Sequence, residues 1–169
     1  MDHVGLTVPD LDQAIEFLTR VLGCQLLYKT SAAFDSTGGD WMTRHYGVNA
    51  RATLRTAMLR CGPTTNVELL QWEVPGSPSS PNDLAAASAG HLAIYVDDVR
   101  QAMEYLAAEP GVRILGAPTV VTGEPNEGTE FVFAQTPWGL YIELVRWPRL
   151  MPYCTLTPER LVNPATSWR

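Results

Sequence analysis

At 169 residues, 46% hydrophobic and 18% charged, the chain has the composition of an ordinary globular domain with room for a substantial core. A formal net charge of −6 argues against nucleic acid or an anionic membrane as partner, since both call for a basic surface. No apolar run approaches the ~20 residues that span a bilayer.

The chain enters a strand almost at once, with no basic-then-apolar leader, so a cytoplasmic protein is expected. From His3 to Val8 the residues alternate: Val4, Leu6 and Val8 on one face, His3, Gly5 and Thr7 on the other. Asp10 then stands as a helix N-cap with Gln13 three residues on. Leu11, Ala14, Ile15, Leu18 and Leu22 follow at helical spacing, and Gly23 closes the helix. Strand-like pieces follow at about 24–34, 53–61 and 65–73. Between them, residues 36–52 read as a loop and a short helix, and 74–89 is a Pro/Ser/Ala-rich linker.

Residues 90–147 then repeat the first half. At an offset of 88 positions, His3, Val8, Asp10, Gln13, Ala14, Glu16 and Leu18 recur as His91, Val96, Asp98, Gln101, Ala102, Glu104 and Leu106. Strand-like pieces at 112–116, 129–135 and 139–147 follow the second helix, and the closing motif Val67–Trp72 is answered by Ile142–Trp147. Each half is therefore β-α-β-β-β. The expected fold is α+β: two tandem modules, residues 1–73 and 90–147, forming a curved, mostly antiparallel sheet with helices outside and a concave inner face. The tail, 148–169, is punctuated by proline and lacks periodicity. Cys24, Cys61 and Cys154 show no zinc-type spacing and are expected as reduced thiols.

The repeat also duplicates chemistry. Each half begins with a histidine on its first strand and ends with a glutamate on its last, and alternation puts all four on the inner face. A single strand histidine is ordinarily structural, and a buried carboxylate without a partner costs several kcal/mol. A divalent cation accounts for His3, Glu68, His91 and Glu143 together, because two carboxylates balance its charge and two neutral imidazoles complete the donor set.

The motifs DHVGLTVPDLDQAIEFL, GHLAIYVDDV, VELLQW and IELVRW resemble the vicinal oxygen chelate superfamily. That group takes in glyoxalase I, methylmalonyl-CoA epimerase, ring-cleaving dioxygenases and the fosfomycin and bleomycin resistance proteins. The resemblance implies paired βαβββ modules, with metal ligands at the first-strand histidine and last-strand carboxylate of each: His3, Glu68, His91 and Glu143. It also implies a homodimer and a small-molecule substrate. The ion would be Zn, Ni, Co, Mn or Fe, since two nitrogens and two carboxylates suit each of them.

With four protein ligands on a six-coordinate ion, a substrate with neighbouring oxygens takes the remaining positions. The expected chemistry is proton removal next to a carbonyl, with the ion stabilising the enediolate and Glu143, or failing it Glu68, as the base. The expected activity is epimerisation or isomerisation of a small, oxygen-rich substrate. One branch with this kind of site and an insert-bearing size is the 2-epi-5-epi-valiolone epimerases, which implies a cyclitol hydroxy ketone. Three alternatives stand beside it: glyoxalase I, a non-catalytic resistance protein that sequesters a drug or metabolite, and a ring-cleaving dioxygenase. The dioxygenase fits less well, because that group uses two histidines and one carboxylate.

Substrate choice is expected from the departures. The first half takes 13 residues more than the second to run from histidine to glutamate, and the excess holds Trp41, Arg44 and His45. This segment reads equally as a lid over the concave face or as a surface helix anchored by Trp41 and Met42. Arg55 and Arg60 read as anion-binding or simply paired with acidic neighbours. Trp72 and Tyr95 are expected to line the pocket.

Overall fold

The computed structural model describes residues 2–30, 34–35, 39–75, 90–158 and 161. Two compact units divide the chain, Met1–Ser80 and Pro81–Pro164. The first unit runs β1 (His3–Thr7), α1 (Leu11–Glu16), β2 (Gln25–Lys29), β3 (Phe34–Asp35), α2 (Trp41–Tyr46), β4 (Thr53–Cys61) and β5 (Thr65–Glu73). The second runs β6 (His91–Tyr95), α3 (Val99–Ala107), β7 (Arg113–Val120), β8 (Glu130–Gln135) and β9 (Tyr141–Arg146). Each unit has its own sheet, ordered β1-β5-β4-β2 with β3 on β4, and β6-β9-β8-β7. In each, the first strand pairs parallel to the last and the other ladders are antiparallel. Two βαβββ modules of α+β class are what the sequence repeat implies. The linker at 76–89 and most of the tail beyond residue 158 lie outside the described residues.

The same capping chemistry starts the major helix of both units. Asp10 accepts a hydrogen bond from the Gln13 amide at 2.9 Å, and Asp98 from that of Gln101 at 3.0 Å. Both aspartates are in extended backbone, as an N-cap requires. α1 passes after Glu16 into a π-helical turn, Phe17–Val21, which buries Phe17, Leu18 and Val21. Gly23, at φ 69°, then turns the chain toward β2.

Alternation sorts each sheet into two faces. On β4 and β5 the pairs Ala57–Leu69 and Leu59–Val67 are fully buried on the side where α1 packs with Leu11 and Ala14. Val132–Leu144 and Ala134–Ile142 repeat this beneath Val99 and Leu106 of α3. Each buried Leu or Ile contributes about 1.5–3 kcal/mol, so these two layers hold the modules together. They also fix register, because a slip by one residue would turn the core outward and the glutamates inward.

The expectation of reduced thiols is corrected for two of the three cysteines: Cys24 and Cys61 form a disulfide, with Cα atoms 4.3 Å apart. β2 runs antiparallel to β4 with Gln25 opposite Arg60, so the next pair outward is Cys24 and Cys61. A separation of 37 residues hid in the sequence what the strand register makes adjacent. Cys154 is half-buried and outside this bridge. At the start of the tail, Met151 is buried against Thr129 and the Tyr153 amide donates to the Pro125 carbonyl. Among the described residues, no helix is long and apolar enough to cross a membrane.

Candidate metal centre

The face of each sheet turned away from its major helix carries the predicted ligands. In the first unit, one row across the strands is His3, Asn66, Arg60 and Gln25; the next is Gly5, Glu68, Met58 and Tyr28. In the second unit the matching rows are His91, Tyr141, Gln135 and Arg113, then Ala93, Glu143, Phe133 and Leu115. Histidine and glutamate therefore sit on neighbouring strands, one same-face step apart. The position opposite each glutamate is small, Gly5 or Ala93, and a Cβ at Gly5 would meet the Leu70 side chain at 3.3 Å.

His3 Nε2 lies 3.4 Å from Glu68 Oε2, and His91 Nε2 lies 3.0 Å from Glu143 Oε2. The histidine side chains are 37% and 38% exposed and the glutamates 26% and 20%, so all four are accessible without being fully solvated. His3 Nδ1–H donates to Asp2 at 2.7 Å. That bond raises the His3 pKa most; desolvation, the next largest influence, opposes it, and the charges of Glu68 and Asp2 add to the rise.

The donor set fits a divalent cation. With Nδ1 of His3 committed to Asp2, the neutral ring turns the Nε2 lone pair toward a carboxylate oxygen. Two acceptors face one another there, and only a proton or a cation between them makes the contact favourable. Asp2 behind His3 is the kind of outer carboxylate that fixes a ligand histidine. Each unit alone offers two donors; among the described residues no three His, Cys, Asp or Glu side chains converge.

The other predicted residues divide by face. Met42 on α2 is fully buried with Ala52 and Leu54, and Trp41, Leu70 and Trp72 pack around them. Leu54 pairs with Trp72, and Leu70 and Trp72 share the face of Glu68, so α2 lies on the site side of the sheet. Trp41 and Met42 anchor the insert helix, as the surface-helix reading holds. Residues 36–38 of the insert are outside the described residues. Arg44 pairs with Asp40 at 2.9 Å. His45 stacks on Trp41 with ring centroids 4.2 Å apart, and Tyr46 meets Trp72 edge-on at 5.3 Å. Tyr95 lies on the site face of the second unit, edge-on to Trp147 at 4.6 Å.

Arg55 is elsewhere. Paired with Gln71 on β5, it faces α1, where its guanidinium is 3.5 Å from Asp12. Lys29 meets the same carboxylate at 2.9 Å, and these cations hold the Asp12 pKa below its usual value. Arg55 thus leaves the substrate-binding set, while Arg60 stays on the site face with its guanidinium 2.6 Å from Gln25 Oε1. Phe131 and Phe133 went unremarked in the sequence. Phe133 meets His91 edge-on at 5.3 Å and Phe131 at 6.0 Å, and the alternation in EFVFAQ was the signal for both.

Two βαβββ modules, each holding a histidine–glutamate pair on its open face, define a class, and the chain belongs to it: residues 1–144 match the Glyoxalase/Bleomycin resistance protein/Dioxygenase superfamily. Among characterised relatives, the chain is 46% identical over 166 residues to a 2-epi-5-epi-valiolone epimerase of Actinomyces sp, covering 98% of this chain and 89% of that one. It is 30% identical over 153 residues to a lactoylglutathione lyase of Arabidopsis thaliana, covering 90% of this chain but 46% of the plant protein. A glyoxalase family protein from Bacillus cereus shares the fold at TM-score 0.63 and 22% identity, covering 86% of this chain and 91% of that one. Glyoxalase I from Zea mays aligns at TM-score 0.57 and 29% identity, over 88% of this chain and 45% of the maize chain. The chain thus spans about half the length of these two plant relatives.

Proposed function

We propose that the chain is a divalent-metal-dependent epimerase acting at a carbon next to the carbonyl of a small polyhydroxylated ketone, of the valiolone type. The carrying observation is the histidine–glutamate pair found at matching register in both modules. The 46% identity to a valiolone epimerase, over nearly the whole of both chains, supports this choice of substrate.

His3, Glu68, His91 and Glu143 would hold the ion, one imidazole and one carboxylate from each unit. Bound there, it supplies Lewis-acid stabilisation of negative charge developing on the substrate oxygen. The protein's own part is to move the proton. Glu143 takes it from the carbon, since it is the less exposed carboxylate and has the closer imidazole to orient it; Glu68 is second in line. Trp41, Trp72, Tyr95, Arg44 and His45 are proposed to contact the substrate. A cytoplasmic homodimer completes the reading. The edge strand β2, which exposes Leu26, Leu27 and Tyr28 in succession, supports association with a second copy.

The test is to incubate 2-epi-5-epi-valiolone with metal-supplemented protein in deuterated water and follow it by NMR. The expected product is the epimer, with one deuterium at the inverted carbon. Neither product nor exchange, with every candidate metal supplied, would sink the proposal. A second reading, glyoxalase I, is favoured by the 30% identity to a lactoylglutathione lyase. Turnover of the glutathione–methylglyoxal hemithioacetal in place of the cyclitol would decide for it.

A further inference from the structure

In the second unit, two rings from different strands meet across the strand that carries the carboxylate. β9, with Glu143, runs between β6 and β8. His91 stands on β6 and Phe133 on β8, yet their ring centroids come within 5.3 Å, edge-on at 76°. Glu143 is opposite Phe133 in the β8–β9 ladder, and its Oε2 is 3.0 Å from His91 Nε2. Residues directly opposite in such a ladder have Cβ atoms about 4.5–5.5 Å apart. A molecule held at the Glu143 carboxylate is therefore within reach of the Phe133 ring.

The neighbours of Phe133 fix that placement. Val132 and Ala134 are fully buried beneath α3, so strand parity sends Phe133 to the open face. Phe131, two residues back on the same face, braces the ring edge-on at 6.0 Å. Both phenylalanines stay half-buried and join no core. The matching position in the first unit, opposite Glu68, is Met58, so the register itself does not demand an aromatic. What the ring adds is selective. Its negative face attracts polarised C–H bonds, such as one next to a carbonyl. A hydroxyl pressed against it loses its hydrogen bond to water and gains none in return. On a polyhydroxylated ring that distinction picks out one face.

We propose that Phe133 is a substrate-positioning residue of the epimerisation, taking the C–H face of the cyclic ketone against its ring beside Glu143. The inference rests on the epimerase reading above and deepens it. It asks for a cyclic substrate that turns carbon-bound hydrogens, and not hydroxyls, toward β8. No bond is made or broken at Phe133. Its contribution is to how the substrate is held, so its loss falls on KM and leaves the metal ligands as they are.

The experiment uses the full chain, metal-supplemented, with 2-epi-5-epi-valiolone, comparing wild type with Phe133→Met and Phe133→Tyr. Methionine keeps an apolar side chain and is what the first unit carries at this register; tyrosine keeps the ring. Epimer formation gives KM and kcat, and titrating metal-free protein with zinc gives metal affinity apart from activity. The proposal expects Phe133→Met to raise KM about fivefold or more, with kcat and zinc affinity within about threefold of wild type. Phe133→Tyr should hold KM within about threefold, because the ring remains. A smaller rise in Phe133→Met would overturn the proposal. So would a parallel loss of zinc affinity, since Phe133 would then act by orienting His91. Should Phe133→Met not fold, saturation-transfer NMR on wild type decides. Transfer from phenylalanine ring protons to the cyclitol C–H protons supports the proposal, and none overturns it. A wild type that does not epimerise removes the epimerase reading and this inference with it. An active wild type with an unimpaired Phe133→Met removes the inference alone.

Discussion

His91 Nε2 and Glu143 Oε2 meet at 3.0 Å across two parallel strands, and His3 with Glu68 repeats the arrangement at 3.4 Å in the other module. If these pairs serve one ion together, purified wild type should carry about one divalent ion per chain, and His91→Ala should lose it. Elemental analysis on protein never exposed to chelator or to nickel resin is the check. Two ions per chain would mean that each pair binds by itself, and none taken up when offered would end the metal reading.

Asp2→Asn should weaken metal affinity about 10–100-fold, because it removes the carboxylate that orients His3. In metal-free protein it should also bring the His3 pKa down, read from imidazole NMR shifts across a pH series. The sign follows from the raised value in the folded chain. Stabilisation from Asp2 and Glu68 is complete below the unfolded histidine pKa and disappears as pH rises through the folded one. An unchanged titration in the variant would show that Asp2 does not act on His3.

Arg55→Gln should leave KM for the cyclitol within about twofold of wild type, because this guanidinium faces Asp12 and α1. Any effect should fall on stability, and be small, as for an exposed ion pair. The Asp12 pKa is lowered in the fold, so the pair's contribution is present above the unfolded carboxylate pKa and is lost as pH falls through the folded one. A KM raised tenfold would put Arg55 back among the substrate contacts.

Cys24→Ser should lower unfolding free energy by about 2–4 kcal/mol, the range for closing a loop of this length. Denaturation of wild type with and without reductant should give the same difference. Equal midpoints, with both thiols reactive in the native protein, would show that the bridge does not form in solution.

Leu69→Ala should cost about 2–5 kcal/mol in denaturant unfolding, since the side chain is fully buried between β5 and α1. Leu70→Ala, one residue on and half-buried beside α2, should cost less and act on KM instead. Reversed costs would invert the two faces assigned to β5.

Much of this was legible because a strand's side chains have a period of two. The offset of 88 positions aligned both histidines, and parity then put Glu68 and Glu143 on the histidine face. The same parity separates Arg55 from Arg60, five residues apart on one strand and so on opposite faces. Reading them as a pair overlooked that rule. Phe131 and Phe133 were available by parity as well. The disulfide was not, because it depends on the register of β2 against β4, and β2 shows little hydrophobic contrast between its faces. Nor was the π turn at Phe17–Val21, where the sequence continues with ordinary helical spacing.

α2 belongs to one module only. The two histidine–glutamate pairs are alike in register but unlike in their surroundings: beside Glu68 the face is closed in by Met42, Trp41 and Trp72, whereas His91 and Glu143 have Phe133 and Phe131 as neighbours. The duplication copied the donors and left the walls around them to diverge.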